Sequence, residues 1–212
     1  MFRDRRHAGE LLAGRLAVYR SQAQTIVLAL PRGGVPVAAA VARALALPLD
    51  VLLVHKIGAP TEPELAVGAV AEDGLVVVDQ RAIDAMHISE AALDAAITRE
   101  REELARRSRL YRGDRLPLAL EGQTAILVDD GLATGYTMLA AVRTVRIMHA
   151  NRIVVAVPVA MQQTLNRFDT EADETICAEV PQRLEAVGQF YEDFRQISDE
   201  QVYAELARGR NN

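Results

Sequence analysis

Four short apolar runs constrain this chain more than any other feature: residues 25–30 (TIVLAL), 49–54 (LDVLLV), 124–128 (TAILV) and 152–157 (RIVVAV). Each is bounded by Gly, Pro or charged residues and is too continuously apolar for a strand with one wet face, so they read as strands buried on both sides. Residues 35–46 and 136–148 follow strands directly, and in the second Met138, Val142 and Val145 recur at helical spacing to give one buried stripe. This alternation predicts an α/β fold, a central parallel sheet flanked by helices. Residues 66–79 break the pattern, because Asp73-Gly74 between two apolar arms predicts a hairpin that extends the sheet or forms a flap. Further strands are expected near 174–178 and 184–187. The chain is read as a single domain over residues 1–212, with a core of approximately 20–160 and a small hood built from the N- and C-terminal segments.

A long charged helix is expected from Ser89 to about Arg112, with Ser89 as N-cap and Ile88 and Leu93 as a hydrophobic staple. Glu102/Arg106 and Glu103/Arg107 stand at i,i+4 along it. Its basic residues Arg99, Arg101, Arg106, Arg107, Arg109 and Arg112 are interleaved with Glu100, Glu102 and Glu103, which favours a solvated face over a nucleic-acid surface. The net charge of -5 points the same way, since a general grip on nucleic acid needs a basic surface. Ser198 and Gln201 form a capping-box pattern that opens a last helix, to about Arg208.

A single cysteine, Cys177, permits no intramolecular disulfide and no thiolate metal cluster, so a reducing, cytoplasmic setting is expected and the thiol reads as inert. The first dozen residues lack the apolar core of a signal peptide. The most apolar stretch, Val35 to Val54, is interrupted by Pro36, Arg43, Pro48 and Asp50, so no membrane association is expected. An exposed sheet edge and the narrow stripe of the long helix suggest a homodimer.

Chemistry concentrates in two loops. The string Ile126-Leu-Val-Asp129-Asp130-Gly131-Leu-Ala133-Thr134-Gly135-Tyr136-Thr137 joins a buried strand to a helix N-terminus. Backbone N–H groups from Gly131 to Thr137, the Thr134 and Thr137 hydroxyls and the helix dipole suit a terminal phosphate. Asp129 and Asp130, at the strand end, can accept hydrogen bonds from a vicinal diol. Taken alone, an Asp-Asp pair can equally cap the helix or hold water or Mg2+. Leu30-Pro31-Arg32-Gly33-Gly34 forms a second anion site after the first strand, with Pro36 in the first turn of the next helix. Arg32 can fork two phosphate oxygens, while Gly33 and Gly34 let backbone approach a bound group. A lone Arg-Gly-Gly can also be an ordinary tight turn. Both loops leave the C-terminal ends of parallel strands and therefore face one crevice.

The twelve-residue string resembles the signature of the type I phosphoribosyltransferases: four hydrophobic residues, two acidic residues and a small-residue loop ending Thr-Gly-x-Thr. Phe2-Arg-Asp-Arg5, Ala8-Gly9, Pro31-Arg-Gly-Gly34, Lys56-Ile-Gly, Glu64-Leu-Ala-x-Gly-Ala69 and Val187-Gly188 with Tyr191-x-Asp193-Phe194 extend the resemblance to a bacterial subgroup over nearly the whole chain. It implies an enzyme that binds phosphoribosyl pyrophosphate (PRPP), with the 131–137 loop on the 5-phosphate, Asp129 and Asp130 on the ribose hydroxyls and Arg32-Gly33-Gly34 on the pyrophosphate. It further implies Mg2+ bridging pyrophosphate and ribose, and a nitrogenous acceptor, a nucleobase. Arg32 and Lys56 would stabilise the leaving group, although a lysine at a strand end is often only a surface residue.

In the hypoxanthine-guanine branch of that family an acidic residue stands three positions after the acidic pair, where this chain has Ala133. The general base must then come from elsewhere, and Glu62 and Glu64 in the 57–65 segment are the candidates. That segment can be a mobile lid or a static loop. Phe190 and Tyr191, with Phe194, form the dense aromatic cluster, able to stack on a base or to pin the tail to the sheet. Tyr136 departs from the small residue common at its position. The same fold can also serve a regulator that senses PRPP or a nucleotide, or a nucleotide-binding protein without transferase chemistry.

Overall fold

The computed structural model describes residues 1–60, 62, 65–71, 74, 76–111 and 118–208, apart from the side chain of Ala66. Helix α1 (Arg5–Arg15) is capped by Asp4, whose carboxylate accepts from the His7 amide. Strand β1 (Thr25–Ala29) leads through the 30–33 loop into α2 (Gly34–Leu45), then β2 (Leu49–Val51). Next come β3 (Val54–Gly58), β4 (Ala66–Ala71) and β5 (Val76–Val78), followed by α3 (Gln80–Ala85) and α4 (Glu90–Tyr111). The second half runs β6 (Thr124–Val128), α5 (Tyr136–Ile147), β7 (Arg152–Val159), α6 (Gln162–Leu165), β8 (Glu174–Glu179) and α7 (Asp199–Arg208).

Five strands form a wholly parallel sheet in the order β2-β1-β6-β7-β8. Successive side chains of a strand point to opposite faces. Accordingly Val27, Ala29, Ile126, Val128, Val154 and Ala156 pack into one apolar cluster with α1, α2 and α7, and Leu28, Ala125, Leu127, Ile153, Val155 and Val157 into another with α5. Both faces are dry, which is why these strands read as unbroken apolar runs.

The expected hairpin is present as the antiparallel pair β4 and β5, but it does not extend the parallel sheet. Strands β3, β4 and β5 make a separate antiparallel sheet, paired Lys56↔Ala69 and Ala69↔Val77. Its expected turn residue Asp73 lies outside the described residues. The run 49–54 therefore divides between two sheets: Leu52 N–H still donates to Ala29 O (3.0 Å), and Val54 begins β3. Residues 184–187 form no strand; a short 3-10 turn spans Val187–Phe190 instead, and Leu184 packs with Phe2, Val159 and Tyr191.

The long helix begins as expected, with Ser89 Oγ accepting from Ala92 N–H (3.3 Å). Arg107 pairs with Glu103 at 2.8 Å, but Arg106 also turns to Glu103 (2.9 Å) rather than to Glu102. Ser198 and Gln201 exchange both capping-box bonds, at 2.9 and 3.3 Å. The N-terminal segment zips onto the tail through Phe2 N–H to Phe190 O (2.7 Å) and Glu192 N–H to Phe2 O (2.8 Å), which builds a hood over the C-terminal end of the sheet. Among the described residues no helix is long and apolar enough to cross a membrane.

Candidate functional site

Strands β1 and β6 are hydrogen-bonded neighbours with Ala29 opposite Val128, and Leu30 N–H continues the ladder to Val128 O at 2.9 Å. From β1 the chain crosses through α2 to β2 on one side; from β6 it crosses through α5 to β7 on the other. The strand order reverses between them, and that switch point is where open α/β sheets bind ligands. The two candidate loops meet there.

Their approach is close enough to dictate glycine. A Cβ on Gly33 would stand 2.1 Å from Asp130 Oδ2, and one on Gly34 would stand 2.6 Å from Val128 O and 2.9 Å from Asp129 Cα. No side chain can occupy either position while the carboxylates stay where they are. The Pro31–Arg32 peptide is cis. The Arg32 guanidinium, a third exposed, lies 3.8 Å from Asp199 Oδ1 at the start of α7. Asp199 also accepts from the Tyr111 hydroxyl and stands 3.7 Å from Arg106.

The two aspartates have different partners. Asp129 Oδ1 accepts from the Asp130 amide at 2.8 Å, while Asp130 Oδ2 takes Arg5 Nε at 2.8 Å in an ion pair with little exposure on either side. Arg5 is held from three directions: its Nη1 donates to Arg195 O (2.8 Å), and its guanidinium lies 3.8 Å over the Phe194 ring and 6.0 Å from that of Tyr191. Burial pushes the Asp129 carboxyl well above the usual range, and repulsion from Asp130 adds to it. Asp130 is also raised by burial, with Arg5 pulling against the shift. Arg5 thus opposes neutralisation of a carboxylate pair that its surroundings would protonate.

The phosphate-type loop is pinned at its base and open at its rim. Leu132 N–H donates to Val159 O (2.9 Å) and the Thr164 hydroxyl to Ala133 O (3.1 Å). Gly131 and Gly135 are buried; Ala133, Thr134 and Thr137 are exposed. Gly135, at φ +77°, is the N-cap of α5, so the first amides of that helix are directed at the rim. Tyr136 turns from the rim, its ring 5.0 Å beneath the Arg167 guanidinium.

A cleft of about 790 Å3 adjoins both loops, bounded by Pro31 on one, Thr137 on the other, and Lys56 and His55 from β3. His55 Nδ1 lies 3.0 Å from Glu100 Oε2 of α4. Glu62 is exposed in a loop closed by bonds from Ala59 N–H to Leu65 O and from Leu65 N–H to Glu62 O, both 2.9 Å. Glu64 lies outside the described residues. Tyr191 is buried, its hydroxyl donating to Asp130 O at 2.6 Å and its ring 5.2 Å from Phe2 and 4.9 Å from Phe194; Phe190 is half-buried in the same hood. The structure therefore sets Gly33 and Gly34 against Asp130 and Asp129, lines the adjoining cleft with Pro31, Lys56 and Thr137, turns the Arg32 guanidinium towards Asp199, and sets Tyr191 behind Asp130.

Sequence reasoning gave no role to Arg5, His55, Glu100 or Asp199. The Phe2-Arg-Asp-Arg5 pattern was the only signal for Arg5. Among the described residues, no group of three or more His, Cys, Asp or Glu could hold a metal ion unaided.

Residues 5–195 match the family model described as "Phosphoribosyl transferase domain". The chain is 44% identical over all 212 residues to proteins named "Putative phosphoribosyl transferase" from two strains of Mycobacterium tuberculosis, and spans about half (48%) of their length. Among solved structures it is similar to TT1426 from Thermus thermophilus, with 45% identity, a TM-score of 0.88 and 98% of each chain covered. AQ2163 from Aquifex aeolicus, 14% identical with a TM-score of 0.52 over 87% of this chain and 78% of that one, shares the fold.

Proposed function

This chain belongs to the phosphoribosyl transferase domain family, and on that premise we propose that it moves the 5-phosphoribosyl group between PRPP and a nitrogenous acceptor, a nucleobase, with release of pyrophosphate. The observation that carries the reading is the contact of one anion loop with the diol-binding pair of the other, Gly33 backbone against Asp130 Oδ2. A ligand with a phosphate at one end, a diol in the middle and a second anionic group beyond it would span this crevice.

In the forward direction the C1–O bond to pyrophosphate breaks and a C1–N bond to the acceptor forms, with positive charge gathering on the ribosyl ring. The protein's contribution is positional and electrostatic. The 131–137 amides and hydroxyls hold the 5-phosphate, Asp129 and Asp130 orient the ribose hydroxyls beside the developing cation, and Arg32, the Gly33–Gly34 backbone and Lys56 receive the pyrophosphate charge. Asp129 and Asp130 are the carboxylates that would hold a Mg2+ on the protein side. When bound, that ion would offset charge on the pyrophosphate. Glu62 and Glu64 remain the candidates for accepting the acceptor's proton, and Phe190 for covering a base from the hood.

The test is pyrophosphate release from PRPP in the presence of a panel of purine and pyrimidine bases. Base-dependent release is expected; PRPP binding without release on any base would replace transfer by PRPP sensing.

A further inference from the structure

The cleft beside the two loops contains a side-chain pair that the transfer reading leaves without a role. We propose that His55, oriented by Glu100, is a proton-linked contact for the pyrophosphate end of the ligand, becoming protonated when that group enters the cleft. The inference rests on the placement of pyrophosphate at Arg32-Gly33-Gly34.

His55 projects from β3, its side chain 15% exposed, and its Nδ1 is fixed 3.0 Å from Glu100 Oε2. A neutral ring bonded to a carboxylate in this way places its proton on Nδ1, so Nε2 keeps its lone pair and can take another. Both residues line the cleft that reaches Pro31 of the Arg32 loop, and Lys56, Arg99 and Arg107 make its wall basic. Lys56, Arg99 and Arg107 outnumber the single carboxylate of the lining, Glu100, which stands 3.8 Å from Arg99, and this balance favours an anion over a neutral base.

The charges around the imidazole decide how it responds. Burial lowers the His55 pKa below its ordinary value, Glu100 opposes that shift by its hydrogen bond, Arg107 adds to the lowering, and Glu103 lies on the raising side. Lys56 is its neighbour on the same strand. Strand β4, paired beside it, is Ala66-Val-Gly-Ala-Val-Ala71 and carries no charge, and α5 presents Thr137 to the cleft. Without ligand, these surroundings therefore favour the neutral ring over the protonated one. A pyrophosphate group brings the counter-charge that burial withholds, and an opposite charge nearby raises the pKa of a cationic acid. Arg107, already tied to Glu103 at 2.8 Å, contributes attraction while His55 supplies a charge that appears only when it is needed.

The test follows the carbon-bound imidazole protons by NMR against pH, with and without saturating magnesium pyrophosphate. His55→Gln assigns the resonance among the four histidines. The His55 midpoint is expected to start below the ordinary histidine value and to rise by about one pH unit or more when pyrophosphate binds. Pyrophosphate affinity measured by calorimetry should then gain about tenfold more in the wild type than in His55→Gln as pH falls through that window. Glu100→Gln should lower the free midpoint further, a shift that a merely structural glutamate would not cause. If pyrophosphate binding depends on Arg32, by comparison with Arg32→Ala, yet the His55 midpoint stays fixed, the role of His55 is overturned and the site stands. If pyrophosphate binds wild type and Arg32→Ala equally, or not at all, the placement of pyrophosphate fails and takes this inference with it.

Discussion

Arg5 and Asp130, 125 residues apart in the chain, meet as an ion pair with Nε 2.8 Å from Oδ2. The contact ties the first turn of the first helix to the carboxylate at the end of the central strand. It joins the hood to the Asp129–Asp130 pair, because the same guanidinium also lies on the Phe194 ring and bonds to Arg195 O.

Replacing Arg5 by Gln leaves Asp130 buried without its cation. Breaking one side of such a pair costs about 3 kcal/mol, so Arg5→Gln should lower the urea midpoint substantially. Arg5→Lys, which keeps the charge but not the planar fork, should fall between the two. The Asp130 carboxyl should move further up without Arg5, shifting the acid limb of PRPP binding to higher pH.

Asp129 is expected to trade stability for binding. Its pKa is raised in the folded protein, so its favourable contribution is complete below the unfolded-state value and is lost as pH rises through the folded one. Asp129→Asn should therefore be more stable than wild type at neutral pH, by about 1 kcal/mol, with the advantage shrinking as pH falls towards the unfolded-state value. PRPP binding should be weakened in the same variant. Thermal unfolding at several pH values, paired with calorimetry, reads both.

The two glycines of the Arg32 loop should respond differently to alanine. At Gly34 the added Cβ meets backbone, Val128 O at 2.6 Å, and overpacking of this kind costs about 2 kcal/mol of stability. At Gly33 it meets a side chain, Asp130 Oδ2 at 2.1 Å, which can be displaced. Gly33→Ala should therefore lose more PRPP affinity per unit of lost stability than Gly34→Ala.

Asp199 stands 3.8 Å from Arg32, where it would compete with an anionic ligand. Partly exposed pairs of this type are worth less than about 1 kcal/mol, so Asp199→Asn should tighten pyrophosphate binding by about threefold. Calorimetry on the variant reads this directly. The Tyr111 hydroxyl, pushed up to about 12 chiefly by burial and then by Asp199, should fall in pKa in the same variant.

Cys177 should be slow to modify. Its thiol is pushed up to about 11 by burial, with Sγ bonded to Glu179 O at 3.1 Å. Labelling by a disulfide reagent at pH 8 should be slow in the native state and complete after denaturation.

What could be read from the sequence was what lies contiguous in it. Asp129 to Thr137 and Arg32 to Gly34 are consecutive residues with a local pattern, and their strands are unbroken apolar runs because both faces of the sheet are covered. The split of residues 49–54 was hidden because Leu52 and Leu53 stay buried while the chain passes from one sheet to the next. Helix α3 was missed because its signal is a single N-cap, Asp79, before six residues. Apart from the Phe2-Arg-Asp-Arg5 pattern, nothing local to Arg5 or Glu100 points to Asp130 or His55, since each partner lies on a distant element. The alternating charges around Glu100 predict a solvated face, but the side chain turns inward to His55.

The most direct measurement is calorimetric titration of PRPP with Mg2+ into the wild type and into Asp129→Asn/Asp130→Asn. Saturable binding by the wild type, strongly weakened in a double variant that remains folded, is the expected result. Equal affinity in the two proteins would contradict the assignment of the diol site, and no binding to the wild type would contradict the assignment of the ligand itself.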